Sequence, residues 1–133
     1  MSIWERLVRR KPAAEFTGMP AIRRIKTYSA QTGYVHQYYF DGSRQTEGGK
    51  EYRFWARTNA GEYKAVFVRV PEALVLQWGK AHGRELVETE QYGIAKMLLF
   101  QHFDEATGAG ELGSSIVLTR ADLDRNSAEL DLE

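Results

Sequence analysis

Glu51-Tyr52-Arg53-Phe54-Trp55-Ala56-Arg57, joined through Thr58-Asn59-Ala60-Gly61 to Tyr63-Lys64-Ala65-Val66-Phe67-Val68-Arg69-Val70, decides the fold. Successive side chains of a strand point to opposite faces. One face of the first run is therefore Tyr52, Phe54 and Ala56, which suits a core. The other is Arg53, Trp55 and Arg57, an outward row of arginines around a tryptophan. Thr58-Asn59-Ala60-Gly61, within the five residues between the runs, carries the asparagine and glycine chemistry of a tight hairpin.

Working outward, Tyr34-Val35-His36-Gln37-Tyr38-Tyr39-Phe40 has high β propensity, and Ile22–Tyr28 reads as a strand before it. Ala30-Gln31-Thr32-Gly33 joins these two as a hairpin. Asp41 to Lys50 is a longer link between the second and third strands. Hairpins in series predict an antiparallel meander of four strands.

Helices follow. Pro71 suits a first helical position, and Glu72–His82 runs to Gly83, a residue suited to a helix end. Glu88–Ala106 is apolar on most sides between Tyr92 and Phe103, so it is expected to be buried as the central core element. At the N-terminus, Ser2 and Glu5 form a capping box. Ile3, Trp4, Leu7 and Val8 make an apolar stripe, and Pro12 stops the short helix. At the other end, Ile116-Val117-Leu118 could add a short strand, and Thr119 to Asp122 could cap one more helical turn.

The expected fold is therefore α+β. It comprises a four-stranded antiparallel meander with C-terminal helices on one face, a short N-terminal helix and a mobile acidic tail. Residues 1–15 form the amphipathic helix, 20–106 the core domain, and 107–133 a linker and tail.

The chain has 133 residues, 43% apolar and 27% charged, which is ordinary for one globular domain. It has no cysteine, which excludes disulfides, thiolate catalysis and sulfur-ligated zinc. No apolar run reaches the ~18 residues of a membrane helix, and the N-terminus lacks the order of a secretory signal. A cytoplasmic location is the default expectation. The formal charge is zero, yet residues 1–70 carry 13 Lys+Arg against 6 Asp+Glu and residues 71–133 carry 5 against 12. Such a split means either a basic face for an anionic partner or two halves that attract or oppose each other in the fold.

Motifs of chemistry are scarce. Gly108-Ala109-Gly110-Glu111-Leu112-Gly113 matches G-x-G-x-x-G, but it follows a helix rather than a strand, so it reads as a linker. His36, His82 and His102 lack ligand spacing, so no metal site and no cofactor are expected. His36 alternates with Tyr34, Tyr38 and Phe40. It is a core histidine if that face packs, and the best general-base candidate if the face lines a cavity. No catalytic residue is assigned.

The arginine–tryptophan row carries the functional expectation. Arg53, Trp55 and Arg57, with Lys64 and Arg24 nearby, combine cations with aromatic rings and can anchor a protein partner. The leading reading is a non-enzymatic binding domain acting through that face on another protein or on a second copy. The alternative is a small-molecule-binding protein or small enzyme with a sheet–helix cavity lined by His36, Tyr38 and Tyr92. Weak nucleic-acid binding through the basic face ranks lower, since the C-terminal half is acidic and no recognition signature is present. Membrane-surface contact by the N-terminal stripe ranks below its packing within the fold.

Thr32-Gly33-Tyr34-Val35-His36-Gln37-Tyr38-Tyr39-Phe40, with Gly83-Arg84-Glu85-Leu86 and Ala95-Lys96-Met97, resembles a family of small bacterial proteins over residues 22–105. The resemblance implies a bacterial origin and carries no residue roles.

Overall fold

A computed structural model describes residues 14–106, 112 and 115–132. The described elements are, in order, strands β1 (Lys26–Ser29), β2 (Val35–Thr46), β3 (Gly49–Thr58) and β4 (Lys64–Pro71), helices α1 (Glu72–His82) and α2 (Glu88–Glu105), strand β5 (Ser115–Val117) and helix α3 (Arg120–Glu129). The fold is α+β. The expected N-terminal helix and the G-x-G-x-x-G stretch, apart from Leu112, lie outside the described residues.

The four-stranded antiparallel meander with a mobile tail is corrected. The sheet has five strands in the order β1-β2-β3-β4-β5, and its last pair, β4 with β5, is parallel. The sheet is therefore mixed. The acidic C-terminal segment is not a tail but a ten-residue helix. Its start is a reciprocal cap, in which Thr119 accepts from the Asp122 N–H and Asp122 accepts from the Thr119 N–H. Leu123, Asn126 and Ser127 are buried beneath it. Arg84 ties the same end down: its guanidinium makes two 2.8 Å bonds to the Glu90 carboxylate and one of 2.5 Å to the Leu132 carbonyl. That hydrogen-bonded arginine holds the Glu90 carboxyl down at about 2.

The link expected between the second and third strands is instead a continuation of both. Thr46 pairs with Gly49 across a two-residue turn in which Gly48 takes φ 87°. This long hairpin contains one irregularity. Phe40 faces Phe54 and Ser43 faces Tyr52, so Asp41 and Gly42 together oppose Arg53. An extra residue of this kind is a β-bulge, and it resets the alternation of side chains. Past the bulge Arg44 pairs with Glu51 on one face, and Gln45 pairs with Lys50 on the other.

The helices cover one face of the sheet. Tyr38, Tyr52, Phe54, Ala56, Val66, Val68 and Val70 meet Trp78, Ile94, Leu98, Leu99 and Phe103 there. The second long helix contributes five buried residues, as its apolar stretch predicts. Burying side chains of this size contributes roughly 1.5–3 kcal/mol each. The opposite face, here called the open face, carries no helix among the described residues.

The β3–β4 hairpin turns on Asn59 and Ala60, both left-handed at φ 47° and 62°. Asn59 suits this, and its side chain also accepts the Val35 N–H at 3.1 Å. Ala60 does not suit it, because a Cβ in this region crowds the backbone. Ala60→Gly is therefore expected to stabilise the fold by about 0.5–1 kcal/mol, after the extra chain entropy of glycine is discounted. A chemical denaturation midpoint that fails to rise contradicts the turn geometry.

Candidate functional site

The open face is built by alternation. Gln37, Tyr39 and Asp41 of β2 lie beside Arg57, Trp55 and Arg53 of β3, and Ala65 and Phe67 continue the rows on β4, with Tyr63 just ahead of that strand. The bulge sets Asp41 at the centre. Its carboxylate accepts the Trp55 indole N–H at 2.7 Å and pairs with the Arg53 guanidinium at 3.0 Å. Its carbonyl accepts Arg53 Nε–H at 3.1 Å. Gly42 takes φ 92° here, and a Cβ on it would come within 2.9 Å of the Thr17 carbonyl. That close approach lets Thr17 bridge to Ser43.

The chain ahead of Thr17 places Phe16 on the same face. The guanidiniums of Arg44 and Arg53 stack over its ring at 4.4 and 4.1 Å, and Phe67 lies 6.0 Å away. Arg44 is also paired with Glu51 at 2.8 Å. Two of the arginines, Arg44 and Arg53, are thus neutralised by carboxylates.

The other end of the face differs. Arg57 donates to the neutral Gln37 side-chain oxygen at 2.6 Å and lies over the Tyr63 ring at 4.8 Å. Arg23 lies over Tyr39 at 5.0 Å, and Tyr39 meets Tyr63 edge-on at 5.3 Å. Among the described residues neither Arg23 nor Arg57 has a carboxylate partner. The Tyr63 hydroxyl is buried without a hydrogen-bond partner. The arrangement can receive planar anions: a guanidinium fixed on an aromatic ring keeps its remaining N–H groups in a fork that matches a carboxylate.

The structure brings Arg53, Trp55 and Arg57 together as the sequence suggests. Lys64 is placed elsewhere: it pairs with Ala56 and so belongs to the helix-bearing face. Arg24 is exposed ahead of β1, and no contact ties it to the row among the described residues. Sequence reasoning missed Asp41, Gln37, Tyr39, Tyr63 and Phe16. A glycine directly after an aromatic strand is the signal for a bulge that could have found Asp41.

The proposed cavity residues are packed inside. His36 is fully buried, its Nδ1 3.0 Å from the Thr58 hydroxyl and its ring stacked 4.5 Å from Phe103. Burial pushes its pKa below the ordinary histidine value. Tyr38 is buried, and burial with Tyr92 nearby pushes its hydroxyl up to about 12. Tyr92 packs on Phe40 and Phe54 at 5.0 and 6.2 Å. The two larger grooves lie elsewhere. One, of about 630 Å³, runs between α1 and the start of β3, over Val70, Val75, Leu76 and Leu86. The other, of about 480 Å³, lies between the Tyr28–Gln31 segment, α2 and α3. None of His36, Tyr38 and Tyr92 lines either. No helix of the described residues is long and apolar enough to cross a membrane, and no three metal-ligating side chains cluster among them.

No protein-family model, curated protein or solved structure matches the chain.

Two outcomes follow from this geometry. Asp41→Ala removes the acceptor of both Trp55 and Arg53, so it is expected to cost about 1–2 kcal/mol. It should also shift one of the indole N–H resonances and speed its exchange with solvent; an indole unaffected by the change contradicts the bond. For His36, the folded pKa lies below 6.5, so the unfolded chain takes up a proton first as pH falls. Stability from the buried neutral ring is present above pH 6.5 and is lost as pH drops below it. His36→Gln, which keeps a polar group beside Thr58, should flatten that slope in denaturation series across this range.

Proposed function

We propose that the chain is a non-enzymatic binding domain that recognises an acidic protein surface through the open face of its sheet. The observation that carries this reading is the Arg23–Tyr39–Tyr63–Arg57 group, in which two ring-stacked guanidiniums lack carboxylates among the described residues. Arginine and large aromatic side chains dominate the energetics of protein interfaces. Stacking and the Gln37 bond hold these side chains in one arrangement beforehand, which reduces the ordering cost of association.

Support for a binding role also comes from the interior. The best general-base candidate, His36, is shielded from solvent, with the Thr58 hydroxyl beside it. A protein is favoured over nucleic acid because residues 71–133 carry 12 Asp+Glu against 5 Lys+Arg and the sequence holds no nucleic-acid recognition signature.

The test is a titration with poly-L-glutamate, followed by the Trp55 indole and Arg57 Nε–H resonances. Saturable shifts confined to Arg23, Gln37, Tyr39, Trp55, Arg57 and Tyr63 are expected. Arg57→Ala should weaken binding about tenfold, the loss of one contact of about 1.4 kcal/mol. Shifts mapping to another surface, or a DNA duplex binding more tightly at the same salt, would overturn the reading.

A further inference from the structure

The charge imbalance of the sequence becomes a division between layers. Residues 14–71, which hold β1–β4, carry nine Lys+Arg and five Asp+Glu. The described residues from 72 onward, which hold the three helices and β5, carry five and ten. The chain as a whole is neutral, with a pI near 6.9, so no net repulsion keeps copies apart.

On the helix-bearing side, the groove of about 480 Å³ has an acidic rim of Asp104, Glu105 and Glu129. Its floor is aromatic, with Tyr28 stacked 4.6 Å from Phe100. Asp104 is held by the Tyr28 hydroxyl at 2.7 Å and the Gln31 N–H at 3.1 Å. Arg125, the one cation lining the groove among the described residues, already binds Asp122 and the Gln101 side-chain oxygen. Glu105 and Glu129 are exposed and have no ion pair among the described residues.

We propose that the partner of the open face is this groove on a second copy of the chain, with Arg23 and Arg57 of one copy entering between Glu105 and Glu129 of the next. The inference rests on the reading of the open face given above. Guanidinium and carboxylate match as bidentate pairs, and each surface supplies the aromatic ground on which the other's charged groups can lie. The two surfaces lie on opposite sides of the sheet, so one contact cannot return to the copy that began it. Assembly is head to tail, and such contacts extend unless a rotation closes them.

Sedimentation velocity of the full chain tests this at about 0.02 M and about 0.5 M salt, where the Debye length falls from about 20 Å to about 4 Å. Wild type should sediment as species growing with concentration at low salt and as monomer at high salt. Arg57→Glu and Glu129→Arg should each weaken assembly at least about tenfold, and their mixture, in which every face meets a groove of opposite charge, should restore the growing assembly. Arg23→Glu lies outside the strands and serves if Arg57→Glu fails to fold. Glu129→Arg places a cation at a helix C-terminus, which favours folding. A wild type that stays monomeric at both salts, or an assembly that both reversals leave unchanged, overturns the proposal. A monomer that still binds poly-L-glutamate at the open face removes the self-partner alone, whereas loss of that binding removes the face as well.

Discussion

One extra residue in β2 governs both faces of the sheet. Before the bulge the even-numbered residues His36, Tyr38 and Phe40 face the helices. Without the bulge Arg44 would follow them inward, toward a layer closed by Tyr52, Phe54 and Tyr92, and a lone guanidinium there would carry a desolvation cost of several kcal/mol. The Asp41–Gly42 pair shifts the count by one. Arg44 then emerges beside Glu51 and Phe16, and Gln45 and Lys50 turn toward the helix side, where Lys50 pairs with Glu88. A strand of twelve residues can thus keep an aromatic core in its first half and a charged open face in its second.

The interior is closed where the alternative reading placed a cavity. Phe40, Tyr52, Phe54 and Tyr92 form one continuous set of ring contacts between 5.0 and 6.4 Å. Beside it Phe103 fills the space among Tyr28, His36 and Tyr38. Rings placed this way are bound by dispersion and by their quadrupoles, and they leave His36 with a hydroxyl and a phenyl face for neighbours. The imidazole is thereby shielded from solvent.

Much of this was legible in local pattern. The alternation of Tyr52, Phe54 and Ala56 with Arg53, Trp55 and Arg57 separates the two faces correctly, because a half-buried strand must sort its side chains with a period of two. The helix bearing Ile94, Leu98, Leu99 and Phe103 declares its burial by being apolar on most sides. The rest depends on contacts distant in sequence. Ile116-Val117-Leu118 suggests a short strand, but that it forms over Ser115–Val117 as a parallel partner at the edge of β4 is a long-range pairing that three residues cannot announce. The bulge is hard to read for a related reason: Gly42 hints at it, but Asp41, Gly42 and Ser43 also have turn chemistry, and only the pairing of residues 43–46 with 49–52 shows that the strand goes on. Lys64 reads in sequence as a neighbour of the arginine row, but its pairing with Ala56, set by the register at the Asn59–Ala60 turn, puts it on the other face.

The ion pairs of the open face do not hold the protein together. Arg53 with Asp41 and Arg44 with Glu51 are each about a quarter exposed on the arginine side, and pairs in such surroundings contribute about 0–1 kcal/mol. Their effect is on shape. Asp41 fixes the indole of Trp55, and Phe16 fixes the planes of Arg44 and Arg53, so that half of the face is internally satisfied and rigid. Arg23 and Arg57 stand over Tyr39 and Tyr63 in the other half, and Arg69, exposed on the same face opposite Glu51, is a further cation without an ion pair among the described residues. Carboxylate-paired and ring-stacked arginines thus share one face, and the bulge decides which is which by placing the aspartate on which Trp55 and Arg53 close.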